Sequence, residues 1–272
     1  MFALLLSVFA PQPLRAEALQ SATSTQQIFA GASTDPYILA VRATVWGYPL
    51  VRAAELRLKA TRPEQPFAPR PTTVATAPIN RMGQARDLAG PDTRIGFAPN
   101  NDTLYSLAFL DTQAGPFQLD TPDFGKRYYV FQFGEADSET RQSYGQSSHG
   151  ERLPPIFIVG PDYRGKIPTG AKVVRSTQRY LMVAGRVLVD GSLDLPNVHR
   201  LQDAILLRKW LGRGRLVQAP ITSQRFLAGD RDDVPDGLKL LANLGTVLKD
   251  WRVSDEDADL GASLCRIGLI AG

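Results

Sequence analysis

The chain has a single cysteine, Cys265, and two histidines, His149 and His199, in 272 residues. One thiol excludes an internal disulfide framework and any metal site built on several thiolates. Two histidines exclude a histidine-rich metal centre and leave only two candidate bases for a Ser-His-Asp arrangement. The run Gly145-Gln146-Ser147-Ser148-His149-Gly150 lacks the Gly-x-Ser-x-Gly frame of a nucleophile elbow. No glycine-rich phosphate loop follows a strand-like run, which disfavours nucleotide-dependent chemistry. Positive charge is also thinly spread. Net charge is +4, and the densest basic stretch, Arg208 to Arg215, carries no aromatic-interleaved motif. It therefore reads as a solvated helix end rather than a nucleic-acid surface.

The longest apolar run is Met1 to Ala10, too short to span a bilayer. Pro11, Pro13 and Ala16-Glu17-Ala18 follow it, so residues 1–18 fit a signal peptide cleaved after Ala16 or Ala18, without the usual basic start. This predicts a periplasmic or secreted protein with no transmembrane segment after cleavage. Residues 19–33, rich in Ser, Thr and Gln, read as a flexible mature N-terminus.

Thr34-Asp35-Pro36 opens a helix: Thr34 or Asp35 can cap and Pro36 suits the first turn. Ile38, Val41, Val45 and Tyr48 are its predicted apolar face, Pro49 is predicted to kink or split it, and Leu50, Ala54 and Leu58 continue the second piece. Arg62 to Pro99 is proline-rich, with short extended pieces such as Thr72-Thr73-Val74, and is expected to bring residues 78–82 to the site. Strands are predicted at 104–111, 117–120, 127–134, 155–160, 171–175, 179–184 and 186–190, separated by Gly-Pro, Pro-Asp and Asp-Gly turn signals. Glu135 to Pro155 is too polar for a strand and reads as a long loop. A helix opens at Asp194-Leu195-Pro196 and runs to Trp210. Two more open at Asp236 and Ser254, the last with Ser254 and Asp257 in a capping-box arrangement. The fold class is α+β: a mainly antiparallel β-sandwich or jelly-roll-like sheet, with an N-terminal helix and a C-terminal helical segment. A β-rich domain is expected over 34–196 and a helical segment over 197–272.

Asn100-Asn101-Asp102-Thr103 is a polar bend running straight into the strand that carries Tyr105. Such a corner can coordinate a hard cation or hydrogen-bond a sugar, and it can equally close Asx-turns. Tyr128 and Gln132 lie on another predicted strand, and Arg186 follows Gly185. A buried Arg186 needs a carboxylate, with Asp102 or Asp111 as the obvious partner. Glu135, Asp137 and Glu139 alternate and read as a solvated loop or an acid/base group. The predicted ligand-binding residues are Asn100, Asn101, Asp102, Tyr105, Tyr128, Gln132 and Arg186. No metal ligand set, cofactor or catalytic residue is assigned.

Taken together, the motifs resemble the family of domain of unknown function 1254 (DUF1254), often exported bacterial proteins. The likeness runs through Trp46 to Val51, Pro99 to Tyr105, Arg127-Tyr128-Tyr129-Val130-Phe131-Gln132, Ile158-Val159-Gly160-Pro161, Ile167 to Gly170 and Gly185-Arg186, and covers residues 36 to 210. The resemblance implies a second, C-terminal jelly-roll-like domain (DUF1214) that this sequence lacks, with Arg266 to Gly272 resembling the helix end that leads into it. It also places Ser147 where relatives carry an arginine in a Gly-x-Arg-Thr-Thr-Gly loop, so any ligand contact made by that arginine is altered here. The expected function is binding of a small polar ligand, with a saccharide as the candidate, in a polar and aromatic pocket. The alternative is a non-enzymatic module that pairs with a separate partner domain or self-associates into a homo-oligomer.

Overall fold

A computed structural model describes residues 34–61, 72–91, 93, 100–137 and 139–270. The leader at 1–18, the segment 19–33, Pro99 and much of the proline-rich run lie outside the described residues.

Helix α1 (Pro36–Thr61) begins as its sequence dictates: the Asp35 carboxylate accepts from the Tyr37 N–H at 2.8 Å. Pro49 does not split it. In the first half the buried face is not the one predicted: Val45 and Tyr48 are exposed, while Leu39, Ala43 and Gly47 are buried; in the second half the predicted Leu50, Ala54 and Leu58 are buried. The Ile38–Tyr48 spacing is as helical as the true face, so periodicity alone selected the wrong stripe. Gly47 decides the matter by close approach, because a Cβ there would sit 2.4 Å from Leu244 Cδ2. Packing on both sides of Pro49 holds the helix through the missing hydrogen bond.

Among the described residues, ten strands form two sheets. The first comprises β1 (Gly83–Gln84), β2 (Thr103–Asp111), β4 (Tyr129–Glu135), β5 (Thr140–Gly145) and β8 (Tyr180–Leu188), in the order β1-β2-β8-β4-β5, all antiparallel. The second comprises β3 (Phe117–Asp120), β6 (Ile156–Val159), β7 (Lys172–Arg175), β9 (Leu206–Trp210) and β10 (Leu216–Val217), in the order β10-β9-β3-β6-β7, with only β6 and β7 parallel. Leu104, Phe131, Phe133 and Val183 of the first sheet share one apolar core with Phe117, Leu119, Ile156 and Ile158 of the second. The predicted α+β class, a mainly antiparallel sandwich with an N-terminal helix and C-terminal helices, is what the chain adopts.

Four local readings are corrected. Residues 140–145 form strand β5, not loop. As an edge strand β5 is held by its ladder to β4 and can stay polar on both faces, which removes the apolar signal. Residues 180–188 are one strand, with Gly185 in register opposite Ser106 and Phe131. The helix opened at Asp194 ends early: α3 (Leu195–Asp203), which follows the one-turn α2 (Gln146–His149), stops, and Leu206–Trp210 turns to pair with β3 as β9. Pairing with a waiting strand overrides helix spacing there. Thr72-Thr73-Val74 likewise lies in turns rather than extended backbone. Helices α4 (Lys239–Val247) and α5 (Ala258–Leu264) follow; α5 starts later than predicted, with Asp257 at its N-cap making no side-chain cap bond, and the Ser254 hydroxyl, 3.0 Å from Asp257 Oδ2 and accepting from the Asp257 N–H at 3.2 Å, closes the turn before it. Leu244, Leu248, Trp251 and Leu264 of this region pack with Ala43, Leu50 and Val51 of α1.

The start of α3 is tied to the sheet by Arg127. Its guanidinium grips the Asp194 carboxylate with two nitrogens and donates to the Leu188 carbonyl at 2.7 Å. The Arg127 contact, with further donation from the Asp190 N–H and Asn197, lowers the Asp194 pKa from 3.8 to about 2. A carboxyl whose folded pKa lies below its unfolded value stabilises the fold above the unfolded value, and that stability is lost as pH falls through the folded one. Stability is therefore expected to drop by about 2 kcal/mol between pH 4 and pH 2 on account of this group. Urea denaturation across that window checks it. Asp194→Asn should flatten the drop, and an unchanged slope in the variant would contradict the assignment.

Candidate functional site

The predicted polar corner forms in part. Tyr105 on β2, Arg186 on β8 and Gln132 on β4 come together on the face of the first sheet that points away from the core. Arg186 Nη1 donates to Gln132 Oε1 at 2.7 Å, and its guanidinium lies 5.4 Å from the Tyr105 ring centroid. The Tyr105 hydroxyl accepts from the Asn100 N–H at 2.9 Å. The side chains of Asn100, Asn101, Asp102 and Tyr128 stand exposed. Among the described residues, none of the first three makes an Asx-turn bond.

Arg186 does not pair with Asp102 or Asp111. Asp111 sits at the far end of β2, where Arg179 binds it through Nε at 3.0 Å and Nη2 at 2.8 Å. Residues 78–82 also lie at that far end, because β1 runs antiparallel to β2: the Asn80 N–H donates to the Phe109 carbonyl, and its side chain accepts from the Asp111 N–H, both at 2.8 Å. Asn80 is a buried structural residue in the left-handed region, φ 65°, which Asn tolerates. Glu135, Asp137 and Glu139 converge on Arg141 rather than on one another. His199 Nε2 lies 2.7 Å from the Arg86 carbonyl, and His149 packs edge-on to Tyr144. Among the described residues no three His, Cys, Asp or Glu side chains are placed to hold a metal, and no helix is long and apolar enough to cross a membrane.

None of the seven predicted residues lines the cavity beneath α1. That cavity has a volume of about 220 Å³, with walls from α1 (Leu50, Ala53, Ala54), from the first sheet (Phe109, Met182) and from the segment carrying Leu227. Its polar end is built from Arg57, Tyr180, Arg225, Asp250 and Trp251. The Arg57 guanidinium stacks over the Tyr180 ring at 3.7 Å, with Arg179 4.9 Å from the same ring. Arg57 Nη1 donates to Gln224 Oε1. Burial pushes the Arg57 pKa down and the Tyr180 pKa up. Asp250 is held by Arg179 Nη1 at 2.8 Å and by Arg225 Nε at 3.3 Å. Two donors are left over: the Tyr180 hydroxyl and the Trp251 indole N–H are buried and have no hydrogen-bond partner among the described residues. Asp250 and Trp251 also line a second, more open hollow of about 420 Å³ beside Gly115 and Gly160.

Residues 79–209 match the family model described as "Protein of unknown function (DUF1254)". The chain carries a DUF1254 domain. The sandwich is mostly that domain, and the cavity is shared: Phe109, Glu135, Tyr180 and Met182 come from within it, while Arg57, Arg225, Asp250 and Trp251 come from the flanking helical regions. The chain is similar in fold to the crystal structure of the VPA0106 protein from Vibrio parahaemolyticus. The TM-score is 0.62 at 20% identity, over 87% of this chain and 53% of that one. It therefore spans about half the length of that protein. An uncharacterised protein from Burkholderia cenocepacia matches at 15% identity over 93% of this chain and 56% of that one, with a TM-score of 0.30. No curated protein matches the chain.

Sequence reasoning missed Arg57, Tyr180 and Trp251. One signal was available for the first: Arg57 falls three residues after Ala54 and seven after Leu50, on the stripe that must be buried. An arginine there needs a reason, and the cavity supplies one.

Proposed function

We propose that this DUF1254 domain binds a small, mostly apolar molecule in the cavity beneath α1, with a hydrogen-bond acceptor of that molecule directed at Tyr180 and Trp251. The supporting observation is the pair of buried, unpartnered donors in one cavity wall. A buried donor without a partner costs about 1–3 kcal/mol, and an acceptor on a ligand removes that penalty. An apolar cavity of about 150 Å³ already admits benzene, so this one has room for a ring with a polar substituent. Binding fits the site better than chemistry. Glu135, the one carboxylate on the wall besides Asp250 among the described residues, is fully engaged by Ser176, Thr177 and Arg141.

The polar corner supports a second, separate reading, a polar ligand such as a saccharide. The observation in its favour is Arg186 Nε, which is buried and unpartnered among the described residues. One set of thermal denaturation scans addresses both. Acetophenone should raise the melting temperature, and Ala53→Trp, which fills the cavity, should remove the rise. Saccharides should act through Arg186 and be indifferent to Ala53→Trp. A shift by acetophenone that survives Ala53→Trp would place its binding elsewhere and refute the cavity reading.

A further inference from the structure

The charges around the cavity are unevenly paired. Arg57, Arg225, Asp250 and Glu135 line it, and Arg179 and Asp111 stand behind its polar end. Asp111 is paired with Arg179, and Asp250 is shared between Arg179 and Arg225. Among the described residues, Arg57 bonds to no carboxylate. Its only hydrogen bond among the described residues is to the neutral side chain of Gln224, which in turn donates to Thr61 Oγ1. Glu135 also faces this cavity, but its charge is committed: Oε1 accepts from Ser176 and the Thr177 N–H, and Oε2 accepts from the Thr177 hydroxyl and Arg141. Among the described residues Arg57 is therefore the cation of the cavity wall that bonds to no carboxylate, beside two neutral donors without acceptors.

Burial is what makes the unpaired guanidinium informative. Arg57 is 8% exposed, Tyr180 5% and Trp251 7%. A guanidinium withdrawn from water and left without a counter-charge is costly, which is why buried arginines are nearly always paired. Stacking on Tyr180 offsets part of that cost, since a cation over a ring face is stabilised by the ring quadrupole. A monoanion supplies the rest and satisfies the Tyr180 and Trp251 donors at the same time. A planar carboxylate suits a guanidinium fork.

Resting on the cavity reading above, we infer that the ligand is an apolar monocarboxylate of about ten non-hydrogen atoms in all, sized by comparison with the benzene-holding cavity, and that Arg57 is its counter-ion. The apolar body lies against Leu50, Ala54, Met182 and Leu227, and the carboxylate lies toward Arg57, Tyr180 and Trp251. Binding then joins α1 to the strand β8 and to the Trp251 segment through one small molecule.

The test compares octanoate with octanamide, which match in size and differ in charge, by isothermal titration of the whole chain. Octanoate is expected to bind at least about tenfold tighter, as a charge-assisted hydrogen bond implies. Arg57→Gln should bring octanoate down to the octanamide affinity and leave octanamide within about twofold of its wild-type value. Arg57→Lys should keep a preference for the acid. Equal affinity of the two probes for the wild-type protein overturns the inference while leaving the cavity reading intact. Binding of neither probe removes both. A preference for octanoate that persists in Arg57→Gln assigns the counter-ion role elsewhere and overturns the inference. The wild-type comparison stands even if the variants do not fold.

Discussion

Arg179→Ala is expected to destabilise the protein by about 3–5 kcal/mol, the cost of breaking a buried ion pair from one side. The Asp111 carboxylate is 1% exposed and is gripped by two Arg179 nitrogens. The third nitrogen of the same guanidinium, Nη1, holds Asp250. Removing the arginine strands one buried carboxylate at the end of β2 and loosens a second beside the cavity. Thr222 and the Gln113 N–H still reach Asp111, at 3.0 and 3.2 Å, but neither carries charge. Arg179→Lys should recover only part of the loss, because an ammonium cannot reproduce the fork that spans both oxygens of Asp111. Removing both partners, with Asp111→Leu added to Arg179→Met, should cost less than Arg179→Ala alone. Urea denaturation of the set measures all of this. A loss below about 1 kcal/mol for Arg179→Ala would mean the pair behaves as a surface contact.

The second large effect is expected at Gly185. This residue pairs with Ser106 on one side and Phe131 on the other, in the middle of the first sheet. A Cβ at this position would lie 2.7 Å from Phe131 Cε1 and 3.2 Å from Ser106 Cβ. The Phe131 ring is fully buried and stands tilted against Phe124 and Tyr129, so it has little room to move. Gly185→Val is expected to destabilise by about 3 kcal/mol, at the upper end of ordinary overpacking. Phe131→Leu, itself costly, should relieve part of that loss in the double variant, giving a coupling of about 1 kcal/mol or more between the two positions. Strict additivity would mean the clash is absorbed elsewhere.

Gly185 also shows where the sequence was legible and where it was not. A glycine between two apolar runs resembles a turn, so 179–190 divides into two strands on paper. In the fold that glycine makes room for a ring from the neighbouring strand, a contact between residues far apart in the chain. By contrast Phe117–Asp120 is legible to the residue, because Gly115-Pro116 and Thr121-Pro122 bound an alternating run whose one face is buried. Strand β5 is hidden for the opposite reason: an edge strand buries little, and its polar residues carry no period. Strand β9 is hidden because Leu206–Trp210 would serve either element, and the edge of β3 decides.

The polar corner was legible as a set of residues sharing a sheet face, since Tyr105, Gln132 and Arg186 follow from strand register. The cavity was not. Its donors come from the start of β8 and from a segment after α4, and no local pattern joins them. Only Arg57, a charge on the Leu50–Ala54–Leu58 stripe, was visible in advance.

The central claim is that the space beneath α1 is a ligand site. Crystals of the whole chain soaked in 4-iodobenzoate, whose iodine scatters anomalously, locate the molecule directly. The account predicts an iodine peak against Leu227 and Met182, with the carboxylate within hydrogen-bonding distance of Arg57, Tyr180 or Trp251. A cavity without an iodine peak at saturating probe, or a peak only at the Tyr105–Gln132–Arg186 face, would contradict it.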